Sequence, residues 1–401
     1  SAIKISEHVY SVGVLNPNLR VFDIVMATEF GTSYNSYLIK GEGASALVET
    51  VHLDFLDNYL ENLKEVLDLN EIEYLIMNHN EPDHSGSVEK LSRLLPNLKI
   101  VVSQAGSLYL KNITNRSDLN IIIAKDGDTL EFGGHTLRFV NAPFLHWPDS
   151  MFTYLESDEV VFTCDFLGSH FCEPRMLDTK ILGFYQEHYF SALKGYYDAI
   201  FGPFAGYVRQ GLDKLSGLSY RMAATSHGPV LTKDGLLPKV LELYGEWSRV
   251  EESSHKRIPV FYCSAYHNTE KLAEAIALGI REAHPDAEVG CYDIIQHDLA
   301  TLADLLNQST GFAIGTPTLN RDAVPPVWNL LACIDAVNIQ KRPAAVFGSY
   351  GWSGEGCKNV RQRLESLRLN VYPEDFRVIF VPSEEDLKNA KEYGKKFAET
   401  L

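Results

Sequence analysis

Grouped cysteine is what this chain most clearly lacks. Its six cysteines, Cys164, Cys172, Cys263, Cys291, Cys333 and Cys357, include no C-x-x-C pair. A disulfide framework, an iron–sulfur cluster or a four-thiolate iron site needs clustered thiols, so the chain builds none of them. Long apolar runs are missing too. Stretches such as Ile258 to Tyr262 and Val378 to Val381 fall far short of the roughly 20 residues a membrane helix requires. The start, Ser1-Ala2-Ile3-Lys4, shows no charged region ahead of an apolar core, so a cytoplasmic protein without membrane association is expected. Positive charge is scarce: the net charge of −17 excludes nonspecific nucleic-acid binding, which needs a basic surface.

Apolar residues make up 45% of the 401, enough for two cores at roughly 100–200 residues per domain. Up to Trp247, short strand-like runs (Val9 to Val12, Tyr37 to Ile39, Ala46 to Val48, Tyr74 to Met77) alternate with loops and helices. That suits two sheets packed face to face with helices outside. Val240, Leu243, Tyr244 and Trp247 follow helical spacing and close this part, and the polar stretch Arg249 to Arg257 reads as a linker. The expected domains are residues 1–250 and 257–401. From Ile258 the pattern becomes strand, loop, helix: Ile258 to Tyr262, Val289 to Tyr292, Phe312 to Ile314, Ala344 to Phe347 and Val378 to Val381 are five expected parallel strands. A helix over Thr269 to Glu282 has Leu272, Ala273, Ile276 and Ile280 on one face, so the second part reads as a doubly wound α/β domain.

Two imidazoles and two carboxylates fall within the six residues His79-Asn80-Glu81-Pro82-Asp83-His84, directly after an apolar strand. In an extended turn His79, Glu81 and Asp83 converge on one side while His84 reaches a neighbouring point. The same residues also suit an ordinary solvated turn. Three more segments repeat the design of an apolar strand ending in a potential ligand: Leu137 to Val140 runs on to His146, Val160 to Thr163 to Asp165, and Met222 to Ala224 to His227. Seven carboxylate and imidazole ligands suit two borderline divalent ions bridged by one carboxylate. Cys164, beside Asp165, reads as a small buried strand residue rather than a ligand.

In the second part, Ser264-Ala265-Tyr266-His267-Asn268-Thr269 follows the first strand and opens a helix, an anion cradle that needs no lysine. It is not a G-x-x-x-x-G-K-[ST] or G-x-G-x-x-G segment. Gly315-Thr316-Pro317-Thr318-Leu319-Asn320 ends the third strand and Gly348-Ser349-Tyr350-Gly351-Trp352-Ser353-Gly354 the fourth. They could border a flat ring, with Tyr350 or Trp352 against it.

The segments His79-x-Glu81-x-Asp83-His84, His146-Trp147-Pro148-Asp149-Ser150-Met151, Asp165 and Ser226-His227-Gly228 resemble the metal signature of the metallo-β-lactamase fold. Specifically, they are similar to that of the flavodiiron (A-type flavoprotein) family, and the three loops resemble that family's flavodoxin-like half. The likeness spans essentially the whole chain. It implies a multidomain α/β protein, an N-terminal metallo-β-lactamase-like αββα sandwich followed by a flavodoxin-like doubly wound parallel sheet. Carried over residue by residue, one iron takes His79, Glu81 and His146, the other Asp83, His84 and His227, and Asp165 bridges. FMN is held through Ser264, Tyr266, His267, Asn268, Thr269, Thr316, Pro317, Thr318, Asn320, Ser349, Tyr350, Gly351, Trp352, Ser353 and Gly354.

The implied reaction is reduction of dioxygen to water or of nitric oxide to nitrous oxide. Electrons come from a donor protein, rubredoxin or a flavin reductase, and the assembly is a head-to-tail homodimer or a dimer of dimers. Asp23, where many members have histidine, and His170 are candidates for the surroundings of the ligands. Glu49 replaces a commoner aspartate before Thr50 and is expected to affect strand-end hydrogen bonding only. Two rivals remain: a dinuclear metal hydrolase, against which Glu81 counts because hydrolases usually place a histidine there, and an FMN electron carrier with a structural metal site.

Overall fold

A computed structural model describes residues 1–249 and 255–401. The chain divides into two compact units, residues 1–250 and 251–401. Most of the expected linker, 250–254, lies outside the described residues. Among the described residues no helix is long and apolar enough to cross a membrane.

The first unit is built on two large sheets, beside two two-stranded ribbons, Val14–Asn16 with Thr32–Tyr34 and Val21–Phe22 with Met26–Ala27. One has seven strands in the order Ile3–Lys4, Val9–Ser11, Tyr37–Ile39, Ser45–Val48, Ile72–Met77, Lys99–Val102, Asn120–Ile123; the other runs Thr129–Phe132, His135–Asn141, Met151–Leu155, Val160–Cys164, Met222–Thr225, Leu231–Thr232. Alternation along each strand builds the layers. Ile76 and Val101 face the second sheet and meet its Phe139 and Phe162, whereas Leu75, Met77 and Ile100 face outward onto Tyr59, Leu63 and Leu91. Tyr189, Leu193, Val208 and Tyr244, from three further helices, cover the outer face of the second sheet. The result is a four-layered αββα sandwich. All the candidate ligands follow strands of these two sheets, so the register of the sandwich determines which of them meet.

The second unit is a parallel sheet in the order Cys291–Asp293, Val260–Tyr262, Phe312–Pro317, Pro343–Tyr350, with helices on both faces. Its fifth position differs from the expected single strand. Asn370–Val371 and Phe376–Ile379 both pair with Pro343–Tyr350, the first opposite Pro343 and Ala344, the second opposite Phe347 to Tyr350. The strand is interrupted at Tyr372 to Asp375, where Pro373 has no N–H to offer a ladder. The expected helix runs Asn268–Ala283, and its first turn faces the carboxyl ends of the strands.

Candidate metal centre and flavin cavity

The strand Ile72–Met77 delivers the first cluster of side chains, but not through a continuous extended turn. Pro82 sits at the first position of a short helix, Pro82–Ser85, which its fixed φ favours. That turn separates Asp83 and His84 from His79 and Glu81, which corrects the extended-turn reading of the spacing and agrees with the division that the family resemblance implies.

Two donor sets result. In one, Glu81 Oε2 lies 3.2 Å from His79 Nε2 and 3.2 Å from His146 Nε2. In the other, Asp83 Oδ2 lies 3.2 Å from His84 Nε2 and 3.0 Å from His227 Nε2. Asp165 divides its oxygens between them. Oδ2 faces His146 at 3.2 Å and His79 at 3.5 Å, while Oδ1 faces His84 at 3.2 Å and His227 at 3.5 Å. All seven side chains are buried or nearly so, the Glu81 and His146 side chains being the most open at 17% and 18% exposure.

The hydrogen bonds on the far side of the rings test whether metal ions fit. His79 Nδ1 is 2.9 Å from Asp149 Oδ1, and His227 Nδ1 is 2.7 Å from the Ser33 carbonyl. Neither the carboxylate nor the carbonyl has a proton to give, so each Nδ1 donates, and in the neutral ring each Nε2 turns a lone pair toward carboxylate oxygens. Lone pairs set against carboxylates repel unless a cation lies between them. Nitrogen and oxygen ligands roughly 2.1 Å from one ion at right angles lie about 3.0 Å apart, which is close to the spacing found. His84 Nε2 and Asp83 Oδ1 are also buried without a hydrogen-bond partner. The residues therefore fit two cations, and an all-nitrogen-and-oxygen donor set suits borderline ions such as iron.

The electrostatics agree. Burial pulls the imidazoles of His79, His84 and His146 down and lifts the carboxyls of Glu81, Asp83 and Asp165, but the facing partners override it. His79 rises to about 10 through Asp149 and Glu81, His84 and His146 also rise, Glu81 falls to about 2, and Asp83 and Asp165 fall as well. The cluster selects positive charge.

Around it, Tyr196 donates to the Asp165 carbonyl at 2.9 Å and Ser226 to Asp165 Oδ1 at 2.7 Å. His170 stays outside both sets. Its Nδ1 is 2.8 Å from the Thr32 hydroxyl, its ring is 5.1 Å from that of His227, and burial lowers it to about 3, so it is a neutral packing ring. Asp23 occupies a hairpin tip at φ +48°, its carboxyl raised to about 7 by burial, by a hydrogen bond with Glu81 and by the charges of Glu81 and Asp83. Cys164 remains a buried thiol, its Sγ 3.9 Å from His84 Nδ1. Sequence reasoning missed Ser33 altogether and gave Asp149 no role. The only signal for Asp149 was its place three residues after His146.

In the second unit a cavity of about 230 Å³ opens at the strand ends. The expected Ser264, Tyr266, Asn268, Thr269, Pro317, Thr318, Ser349, Tyr350, Gly351 and Trp352 line it, together with Ala265, Leu319 and Phe380, which were not expected. Thr269 and Ser349 hydroxyls, 2.9 Å apart and buried, tie the helix start to the fourth strand. Tyr266 and Trp352 are 82% and 84% exposed at the rim, where they are available to a flat ring, with the Arg321 guanidinium 6.0 Å from the centre of the Trp352 ring.

Five expected contacts do not line this cavity. The His267 side chain turns to solvent and pairs with Glu270 at 2.6 Å, and the Thr316 hydroxyl is spent on the Pro317 carbonyl at 2.8 Å. Asn320 lies in the tight Leu319-to-Asp322 turn, Ser353 hydrogen-bonds Glu355, and Gly354 caps the next helix.

Fold and sites together define a two-domain protein pairing a dinuclear metal sandwich with a flavodoxin-like domain. The ODP family beta lactamase matches residues 32–228 and Flavodoxin residues 260–394. A flavo-diiron protein of Clostridium acetobutylicum is 53% identical over 401 residues, 100% of both chains. An anaerobic nitric oxide reductase flavorubredoxin of an Enterobacter species is 31% identical, over 99% of this chain and 81% of that one. The solved rubredoxin oxygen:oxidoreductase from the anaerobe Desulfovibrio gigas superposes with a TM-score of 0.70 at 26% identity, covering 100% of this chain and 98% of that chain. The chain belongs to the flavodiiron protein family.

Proposed function

We propose that this protein reduces dioxygen to water, nitric oxide to nitrous oxide, or both, at a di-iron centre supplied with electrons through FMN. His79, Glu81 and His146 would hold one iron and Asp83, His84 and His227 the other, with Asp165 facing both sets. The observation that carries the reading is the division of the two Asp165 oxygens between the two donor sets. When bound, the irons would supply the redox chemistry for a diatomic gas and the flavin would supply electrons one at a time. The protein's part is to hold and tune: Asp149 and the Ser33 carbonyl fix the rings of His79 and His227, and the three loops with the Asn268 helix start cradle a phosphate and a flat ring. The reactions balance as dioxygen with four electrons and four protons to two waters, or two nitric oxides with two electrons and two protons to nitrous oxide and water.

The name of the Desulfovibrio gigas relative, rubredoxin oxygen:oxidoreductase, supports rubredoxin as a separate electron donor, with a flavin reductase as the alternative. Donor sets and flavin cavity lie in separate units, which supports a head-to-tail homodimer, alone or as a dimer of dimers. Domain limits at 1–250 and 257–401 belong to the same reading.

The test is anaerobic preparation, metal and flavin analysis, and gas electrodes. Two irons and one FMN per chain, with reductant-dependent gas loss, are expected. Bound zinc with ester or lactam hydrolysis would replace this reading with the hydrolase. Flavin turnover without gas consumption would replace it with the electron carrier.

A further inference from the structure

Glu49 lies at the end of the strand Ser45–Val48, 1% exposed, its backbone at φ +64°. The left-handed region is disfavoured for a residue with a Cβ, and such strain persists where surrounding contacts fix it. Those contacts are visible. The Glu49 N–H donates to the Ile76 carbonyl at 2.8 Å, and its Oε1 accepts the Asn78 N–H at 2.6 Å, so the acid bridges two parallel strand ends. The other oxygen, Oε2, makes no hydrogen bond elsewhere and lies 3.1 Å from His84 Nδ1. The next residue, Thr50, holds the other end of His84, its hydroxyl and N–H both directed at the His84 carbonyl. Glu49 thus does more than hydrogen-bond a strand end, which corrects the expectation from sequence.

His84 Nδ1 has two polar neighbours with opposite consequences. A thiol proton from Cys164, at 3.9 Å, would put the lone pair on Nδ1 and a proton on Nε2; the Glu49 carboxylate at 3.1 Å demands the proton on Nδ1 and leaves the lone pair on Nε2. The carboxylate, closer and held in place by the Asn78 N–H, wins over a weak sulfur donor. Only the second arrangement turns a lone pair toward Asp83 Oδ2 and Asp165 Oδ1, each 3.2 Å from Nε2.

We infer that Glu49 is a positioning residue for the metal centre: it holds the His84 ring with Nε2 as the donor, and so decides whether the ion of the Asp83–His84–His227 set has its full complement of ligands. A carboxylate is required because two fixed donors, the Asn78 N–H and the His84 Nδ1–H, converge on it from different sides. An amide has one acceptor oxygen and serves only one of them. The inference rests on the assignment of His84 as a ligand. A wild-type protein that holds two metal ions yet reduces no gas sinks the proposed reaction and leaves this inference standing.

The test compares wild type, Glu49→Gln and Glu49→Asp as full-length proteins. Release of iron to a chelator is followed against FMN content, with Mössbauer spectra of protein loaded with iron-57. In Glu49→Gln one of the two irons is released about 10–100-fold more readily and one Mössbauer site changes, while the other iron and the FMN stay as in wild type. Glu49→Asp, which keeps the charge but is one methylene shorter, falls between the two. In a His84→Ala background Glu49→Gln changes nothing further. Unaltered release of both irons, equal weakening of both, or additional loss in the His84→Ala background overturns the inference. Should Glu49→Gln not accumulate as folded, flavin-bearing protein, Glu49→Asp carries the same comparison.

Discussion

The helices Asn268–Ala283 and Glu384–Ala398 of the flavin unit cross at two glycines, and replacing one of them makes a sharp test of how this unit is held. A Cβ added at Gly279 would sit 1.8 Å from the Lys391 carbonyl oxygen, and one at Gly394 2.2 Å from that of Ile276. These are backbone atoms and cannot rotate away. In Gly279→Ala the helices must separate by roughly 1.5 Å to restore ordinary contact, and a gap of that size removes most of the dispersion attraction across it. The contacts at risk are Leu272, Ile276 and Ile280 against Ala390, Tyr393 and Phe397, all buried. Overpacking of this kind costs about 1–3 kcal/mol and a clash with backbone lies at the upper end of that range, so with about 1 kcal/mol of helix propensity returned by alanine a net loss of about 2 kcal/mol is expected. Because Asn268, at the start of the same helix, lines the flavin cavity, FMN retention should fall as well. Gly195 is the control: it lies in the helix Gln186–Ile200 with nothing within 4 Å of an added Cβ, so Gly195→Ala should gain about 0.5–1 kcal/mol. Urea unfolding of the flavin-loaded protein, followed by FMN fluorescence and circular dichroism, measures both. A Gly279→Ala protein as stable as wild type, with Gly195→Ala behaving as stated, would refute the close-crossing argument.

Asp165→Ala should lose both irons together, since each of its oxygens faces a different donor set; elemental analysis showing one tightly held iron would contradict a bridge. Trp352→Ala should weaken FMN binding by roughly 2–10-fold, the worth of one aromatic contact, and an unchanged fluorescence titration would make Trp352 a bystander. Asp158 contributes to acid stability in the first unit. Burial raises its carboxyl, but hydrogen bonds from Ser6 and from the His8 side chain and N–H lower it to about 2. The folded chain therefore keeps this acid ionised where the unfolded chain has begun to protonate it, and the stabilisation, complete above about pH 5, is lost as pH falls toward 2. Asp158→Asn should flatten the stability profile across that window; an unchanged slope in acid unfolding would show that the contact contributes nothing.

Local chemistry was legible in the chain itself. Strand periodicity marks Ile72–Met77 and Val160–Cys164, the turn from His79 to His84 presents four candidate ligands in six residues, and polar loops follow the first, third and fourth strands of the second unit, because alternation and spacing are properties of neighbouring residues. Which distant groups share a volume is not such a property. The split of Asp83 from His79 and Glu81 came from a helical turn begun by Pro82, and the broken edge strand from Pro373. Ser33 and Glu49 reach His227 and His84 across 194 and 35 positions of sequence, and Phe380 enters the flavin cavity from the end of the interrupted strand. These meetings depend on the register of two sheets and the packing of helices on them. Many weak contacts far apart in the chain fix that register together, and no short segment encodes it.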